Sequence, residues 1–145
     1  MRSSSSSATS TSLVDSAARD KAYAARPSSA LAYDELLFRH WDTWEDGKYS
    51  HLLVWTPPAL GGKADDARDL TPGQRTDSPT HPFGGLEEVD ISPDGKTVAF
   101  LARVGGREVA WTTNTDVFLV PADGRGKPVP LTAAIRASGL NPTFA

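Results

Sequence analysis

Hydrophobic and polar positions divide the chain into a polar beginning and a longer part built of short apolar runs. Residues 1–12 are mostly Ser and Thr, and residues 13–30 are rich in Ala and charged side chains. This composition offers too few large apolar groups to offset the entropy lost on ordering. We therefore predict a disordered or weakly helical tail over residues 1–30, with a short helix over 14–25 capped by Asp15.

From Leu31 onward, short apolar and aromatic runs alternate with turn residues. Residues 31–40 and 50–55 read as strands, and Asp46-Gly47 between them is a hairpin signal, so we expect these two strands to pair. Residues 56–67 contain Pro, Gly and Asp and cannot continue a ladder. A brief outer strand is predicted at 68–71.

The same scheme recurs more regularly over residues 87–132. A strand at 88–91 leads into the tight turn Ser92-Pro93-Asp94-Gly95, and residues 97–102 are apolar on both faces. Glycine reaches positive φ without steric cost. Among the three Asp-Gly turns we expect Gly95 to be the least replaceable, because it joins the strands with the clearest apolar pattern.

Further along, an apolar run at 116–120 and a short strand at 129–132 are separated by the turn at Asp123-Gly124. Leu131-Thr132 then closes this unit as Leu70-Thr71 closes the earlier one. In the same comparison, Leu52-Leu53-Val54 matches Phe118-Leu119-Val120 in position. Four short antiparallel strands per repeat are typical of a β-propeller blade.

The repeat predicts an all-β chain that is a partial β-propeller of about two blades. One blade spans 33–71, the next spans 87–132, and residues 140–145 are expected to begin the first strand of a third. A closed propeller needs about four blades or more. Residues 31–145 are thus predicted to be an incomplete propeller.

Charge and composition exclude several classes of function. A net charge of −3 with scattered Lys and Arg provides no basic field for nucleic acid. No run approaches the roughly 18 apolar residues of a membrane helix, and the sequence as written begins without the apolar stretch of a secretory signal. The chain has no cysteine, which removes disulfides, thiolate nucleophiles and cysteine-based zinc sites.

No catalytic, metal-binding or cofactor-binding residue is predicted. The chain lacks the Gly-x-Ser-x-Gly sequence of a nucleophile elbow, and most of its serines cluster in the tail. His40, His51 and His81 lack the spacing of a zinc site, so a structural role is favoured for them. The remaining candidates are interpreted as turn acids and loop glycines: Asp42, Glu45, Asp46, Gly61-Gly62 and Gly84-Gly85.

The tryptophans leave one alternative open. Trp41 and Trp44 are large aromatic residues at a predicted strand, where packing between blades is the favoured role. A position lining a peptide-binding funnel is the other interpretation.

Several segments together resemble the propeller domain of the dipeptidyl-peptidase V type and its acylaminoacyl-peptidase relatives, in the prolyl oligopeptidase superfamily. The Arg39-His40-Trp41-Asp42 segment is the most specific of them. The segments run in the family's order and are 37–44, 82–85, 90–100 and 114–124.

This resemblance implies an N-terminal propeller that caps a C-terminal α/β-hydrolase domain and restricts access to short peptides. The enzymes of this family are serine peptidases that are often secreted, and their catalytic triad would lie in that other domain. No catalytic residue is therefore carried over to this chain, and the chain alone should be inactive. The chain departs from the family at both ends, as a partial reading frame would. A non-catalytic propeller that acts as a binding or scaffold module is the alternative function.

Overall fold

The computed structural model describes residues 13–33, 36, 38–63, 67–103 and 106–145. It divides into two compact units, residues 1–34 and 35–145. In the first unit, helix α1 spans Leu13–Ala24, which confirms the predicted helix, but Asp15 lies within its first turn and does not occupy the cap position predicted for it. Residues 1–12 of the predicted tail lie outside the described residues.

The second unit begins with two small antiparallel sheets. Strand β1 (Arg39–His40) pairs with β2 (Thr43–Trp44) across a two-residue turn. Strand β3 (Leu53–Val54) pairs with β4 (Arg68–Asp69) across a longer loop. Of the predicted first strand, residues 34, 35 and 37 lie outside the described residues.

The predicted pairing of residues 31–40 with 50–55 is therefore wrong. The turn at Asp46-Gly47 does form, with Gly47 at a φ of 77°. However, the chain has already reversed at Trp41, and β3 takes its ladder partner from β4. Pairing with β4 brings Leu52, Val54 and Leu70 into the apolar core, and that burial favours it.

A four-stranded antiparallel sheet occupies the rest of the second unit. Its strands follow one another in chain order, and they are β5 (Val89–Ile91), β6 (Thr97–Ala102), β7 (Asp116–Pro121) and β8 (Val129–Pro130). This meander contains the strands predicted over 87–132. The described residues thus form small antiparallel sheets with one α-helix and no closed barrel.

The turn between β5 and β6 is built as its sequence predicts. Gly95 has a φ of 71°, and its backbone N–H donates to the Ser92 carbonyl at 2.8 Å. The Ser92 hydroxyl and the Lys96 backbone N–H donate to Asp94 at 2.7 and 3.0 Å, and they hold the pKa of that carboxyl below its usual range. Asp46 and Asp123 likewise accept a backbone hydrogen bond from the residue two positions later.

The core lies between the β3–β4 segment and one face of the four-stranded sheet. Phe100 and Phe118 stack there with ring centroids 5.5 Å apart, and Leu70 packs against the same face. The opposite face of β6 is also covered, since Ala99 and Leu101 are buried. Each fully buried Leu or Phe side chain contributes roughly 1.5–3 kcal/mol. The prediction that β6 is apolar on both faces is confirmed.

One backbone hydrogen bond occurs at equivalent places in the two predicted repeats. The Leu70 N–H donates to the Leu52 carbonyl and the Leu131 N–H donates to the Val117 carbonyl, each at 2.8 Å. These bonds align Leu52 with Val117. The match proposed from sequence, Leu52 with Phe118, is therefore wrong by one residue. Sequence similarity alone cannot set strand register, because a shift by one residue exchanges the two faces of a strand.

Residues 140–145 are all described and contain no strand. The expected first strand of a third blade is thus absent from this segment. Its Phe144 backbone N–H donates instead to the Asp90 carboxylate at 2.7 Å. A strand needs a ladder partner along its length, and here the backbone bonds to a side chain.

Candidate functional site

The loop between β4 and β5 returns to the start of β3 and gathers polar side chains there. The Ser50 N–H donates to Asp77 Oδ1 at 2.7 Å, and the Ser78 N–H donates to the Ser50 carbonyl at 2.9 Å. Ser78 is buried, and its hydroxyl donates to the Leu101 carbonyl of the large sheet at 3.2 Å. This loop is therefore tied both to the small sheet and to the core.

Ser50, His81 and Asp77 form a set with the composition of a catalytic triad. Ser50 Oγ lies 3.5 Å from His81 Nε2, and His81 Nδ1 lies 3.7 Å from Asp77 Oδ2. A nucleophile and its base normally approach to about 2.6–3.2 Å. Asp77 is also already engaged by the Ser50 backbone. In this geometry the three groups connect the loop to the segment just before β3.

His51 sits in a second junction of the same region. Its Nδ1 lies 2.7 Å from Asp69 Oδ2 and its Nε2 lies 3.0 Å from the Gln74 carbonyl oxygen. Both partners are acceptors, so each ring nitrogen that carries a hydrogen donates to its neighbour. His51 therefore bridges β4 and the loop that follows it, which is consistent with a structural role.

Glu45 follows β2 and lies near the same polar group. Partial burial, followed by the charge of Asp77, raises the pKa of Glu45, while His40 and His81 act in the opposite direction. The three predicted turn acids are thus not equivalent. Asp46 is the one that serves its turn, by accepting from the Lys48 backbone at 2.9 Å and pairing with Lys48 Nζ at 3.2 Å.

Exposed aromatic rings occur on the β1–β2 hairpin and on the loop that carries His81. Trp41 meets Phe83 edge to face with centroids 5.1 Å apart, and the two side chains are 75% and 72% exposed. Trp44 stacks on Phe38 at 5.9 Å and carries the Arg39 guanidinium 5.5 Å from its ring. Both tryptophans are exposed in this chain, Trp44 by 53%, and their packing against a neighbouring blade stays a prediction.

Glu88 fixes the loop that carries His81 and Phe83. Thr80 donates to this carboxylate twice, from its backbone N–H to Oε2 and from its hydroxyl to Oε1, each at 2.7 Å. Gly84 packs directly against both residues, because a Cβ at this position would overlap the Glu88 carboxylate and the Thr80 backbone. Gly84 thus has a steric role that its assignment as a loop glycine did not reveal.

The association of Ser50 with Asp77 and His81 was not predicted from the sequence. The only local signal is the four-residue spacing of Asp77 and His81, which brings them together in this loop. Within the part of the chain that the structure describes, no group of three or more His, Asp or Glu side chains is arranged to hold a metal ion. A search of the same residues finds no helix with the length and apolar character needed to cross a membrane.

Several relatives found by comparison with known proteins carry the same name, dipeptidyl-peptidase 5. The chain is 35% identical over 128 residues to a probable dipeptidyl-peptidase 5 of Emericella nidulans, covering 81% of this chain and 18% of the relative. It is 38% identical over 112 residues to dipeptidyl-peptidase 5 of Aspergillus oryzae, covering 72% and 15%. With dipeptidyl-peptidase 5 of Trichophyton equinum the identity is 38% over 101 residues, covering 67% and 14%.

The chain therefore spans less than a fifth of the length of these curated relatives. No family model matches the chain, and no solved structure matches it.

Proposed function

Since this chain belongs with the dipeptidyl-peptidase 5 proteins of the prolyl oligopeptidase family, we propose that it is part of the substrate-gating β-propeller of a serine-type dipeptidyl peptidase. The observation that carries the proposal is the 35–38% identity over most of the chain to proteins of that one name. The peptides cleaved, the serine nucleophile and the α/β-hydrolase domain belong to the whole protein and are part of the proposal.

The repeated sheet supports the propeller arrangement. In the first repeat, the side chains that face the large sheet are Leu52, Val54 and Leu70. The hydrogen-bond alignment makes Val117, Leu119 and Leu131 their counterparts in the second repeat. A propeller blade is covered on each side by a neighbouring blade. In the proposed protein, a further sheet covers the face that carries Leu131.

The side chains of this chain support a non-catalytic role. The sequence contains no nucleophile elbow, and Ser50 Oγ lies 3.5 Å from His81 Nε2, farther than a nucleophile normally lies from its base. We assign to this segment the walls of the path by which peptides reach a catalytic centre elsewhere in the protein.

The proposal is tested with the complete open reading frame that contains this chain. Its purified product should release dipeptides from dipeptidyl-arylamides and leave aminoacyl-arylamides intact, and a serine-directed organophosphate should block the reaction. The 145-residue chain alone should show no turnover. A full-length product without peptidase activity would instead favour the binding or scaffold module.

A further inference from the structure

The three Asp-Gly pairs of the chain lie in different surroundings. They are Asp46-Gly47, Asp94-Gly95 and Asp123-Gly124. An aspartate followed by glycine is prone to spontaneous cyclisation, because glycine has no Cβ to hinder attack by its amide nitrogen on the aspartate carboxyl carbon. Hydrolysis of the ring then leaves an isoaspartyl residue. Since the dipeptide is the same in all three places, a difference in reactivity within the folded chain has to come from the structure.

One feature that favours this reaction is common to the three pairs. Each aspartate accepts a hydrogen bond from the backbone N–H two positions later, donated by Lys48, Lys96 and Arg125 at 2.9, 3.0 and 2.9 Å. Such a bond curls the side chain back over the intervening peptide. It does not distinguish one pair from another.

The hydrogen bonds of the glycine amides do distinguish them. The Gly95 N–H donates to the Ser92 carbonyl at 2.8 Å, and the Gly124 N–H donates to the Pro121 carbonyl at 3.2 Å. Among the residues that the structure describes, no carbonyl accepts the Gly47 N–H. The attacking nitrogen has to lose its proton and turn toward the carboxyl carbon, and an existing hydrogen bond opposes both changes. The Gly47 amide is therefore the most available of the three.

The strands on either side of each pair act in the same direction. Gly95 connects β5 to β6 and Gly124 connects β7 to β8, so the strands on both sides of each turn belong to one sheet. Asp46-Gly47 lies between β2 and β3, which pair with β1 and β4 and not with each other. Both of its residues are exposed. A backbone segment outside a sheet opens at lower cost than one inside it, and ring closure needs such a rearrangement.

Asp94 has a further source of protection. The Ser92 hydroxyl donates to its carboxylate at 2.7 Å, and this bond is the main reason why the pKa of Asp94 lies below its usual range. Cyclisation expels one carboxyl oxygen as water. A carboxyl group that stays ionised loses that oxygen less readily than a protonated one.

We propose that Asp46-Gly47 is a site of spontaneous isoaspartate formation in this protein. The Gly47 nitrogen bonds to Asp46 Cγ, and one water molecule leaves with the amide hydrogen and the carboxyl hydroxyl. Water then opens the cyclic imide at the main-chain carbonyl carbon of Asp46, so that Gly47 remains attached through Cγ. Mass and net charge are unchanged, but the main chain gains one carbon atom. This inference does not depend on the proposed peptidase function.

The test incubates the folded 145-residue chain at neutral pH and physiological temperature and then digests it. A protein-isoaspartate methyltransferase transfers a labelled methyl group from S-adenosylmethionine to the digest, and peptide mapping locates the label. Label should accumulate at Asp46 at least about threefold faster than at Asp94 or Asp123, as the loss of one hydrogen bond implies. In guanidinium chloride the three pairs should react at similar rates.

Matched substitutions assign the site and the cause. Asp46→Glu and Asp94→Glu keep the charge, but glutamate has to close a larger ring. Asp46→Glu should remove most of the label, whereas Asp94→Glu should leave it nearly unchanged. Ser92→Ala deletes the hydroxyl that donates to Asp94, and it should raise labelling at Asp94 without altering that at Asp46.

Three results would overturn the inference. They are equal labelling of the three pairs in the folded chain, faster labelling at Asp94 or Asp123 than at Asp46, and no label at Asp46. A preference for Asp46 that persists unchanged in guanidinium chloride would also reject it, because the neighbouring residues in the sequence and not the fold would then be the cause.

Discussion

Leu70 and Leu131 hold equivalent positions in the two repeats but differ sharply in burial. Each donates its backbone N–H to the adjacent strand at 2.8 Å, yet Leu70 is 3% exposed and Leu131 is 63% exposed. The same backbone hydrogen bond thus forms at both positions, but among the described residues Leu70 belongs to the buried apolar core and Leu131 does not.

This difference predicts unequal effects of the same substitution. Leu70→Ala should lower the free energy of unfolding by about 2–5 kcal/mol because it leaves a cavity in the core. Leu131→Ala should change it by less than about 0.5 kcal/mol. Urea unfolding of the two variants measures this. In the full-length protein, Leu131→Ala should become comparably costly, and a still negligible effect there would argue against the proposed neighbouring sheet.

Two glycines with nearly the same backbone conformation, Gly95 and Gly124, differ in the space available for an added side chain. Gly95 and Gly124 have φ values of 71° and 70°, but a Cβ at Gly95 meets nothing within 4 Å, whereas one at Gly124 would lie 3.1 Å from Arg68 Cβ. Gly95→Ala should cost roughly 1 kcal/mol from the backbone alone, and Gly124→Ala should cost more.

Thermal unfolding tests whether Gly124→Ala costs more stability than Gly95→Ala. That result would reverse the prediction that Gly95 is the least replaceable of the turn glycines. Gly73, at a φ of 75° and also in open space, supplies the control for strain without crowding. Equal losses at all three positions would show that Arg68 yields to the added methyl group.

Glu88 is predicted to set the conformation of the loop that carries Phe83. Glu88→Gln replaces a charged acceptor of two hydrogen bonds and should lower stability by about 1–3 kcal/mol. It should also reduce the near-ultraviolet circular dichroism that arises from the contact between Trp41 and Phe83. Glu87→Gln, at an exposed neighbouring position, is the matched control and should affect neither property.

Glu45 should make stability depend on pH in a defined direction. Its folded pKa is raised above the ordinary 4.5, so the folded state binds this proton more tightly than the unfolded state does. The stability gained from the protonated carboxyl is present below pH 4.5 and is lost as the pH rises through the folded pKa. Glu45→Gln should remove this loss.

Urea midpoints measured across that window test the assignment. The midpoint of Glu45→Gln should rise relative to the unsubstituted chain as the pH increases above 4.5, and the two should converge below it. Glu87→Gln again serves as the control. A constant offset between Glu45→Gln and the unsubstituted chain at every pH would contradict a raised pKa for Glu45.

Local patterns in the sequence were sufficient for the elements whose partners are near in the chain. The four strands of the large sheet follow one another in the chain. Asp-Gly turns whose glycines have positive φ connect β5 to β6 and β7 to β8. Turn residues restrict the backbone directly, and apolar alternation marks which strands are covered, so both features can be predicted without knowing the rest of the fold. The helix in the first unit is another such case.

Only the tertiary structure decided which distant segments meet. The pairing of β3 with β4, the approach of Asp77 and His81 to Ser50, and the exposure of Trp41 all depend on loops whose closure no local signal specifies. Leu70 and Leu131 illustrate the reason. They share a residue type, a following threonine and a backbone hydrogen bond, but burial is a property of the neighbour that packs on a side chain, and the sequence around each leucine does not contain that neighbour.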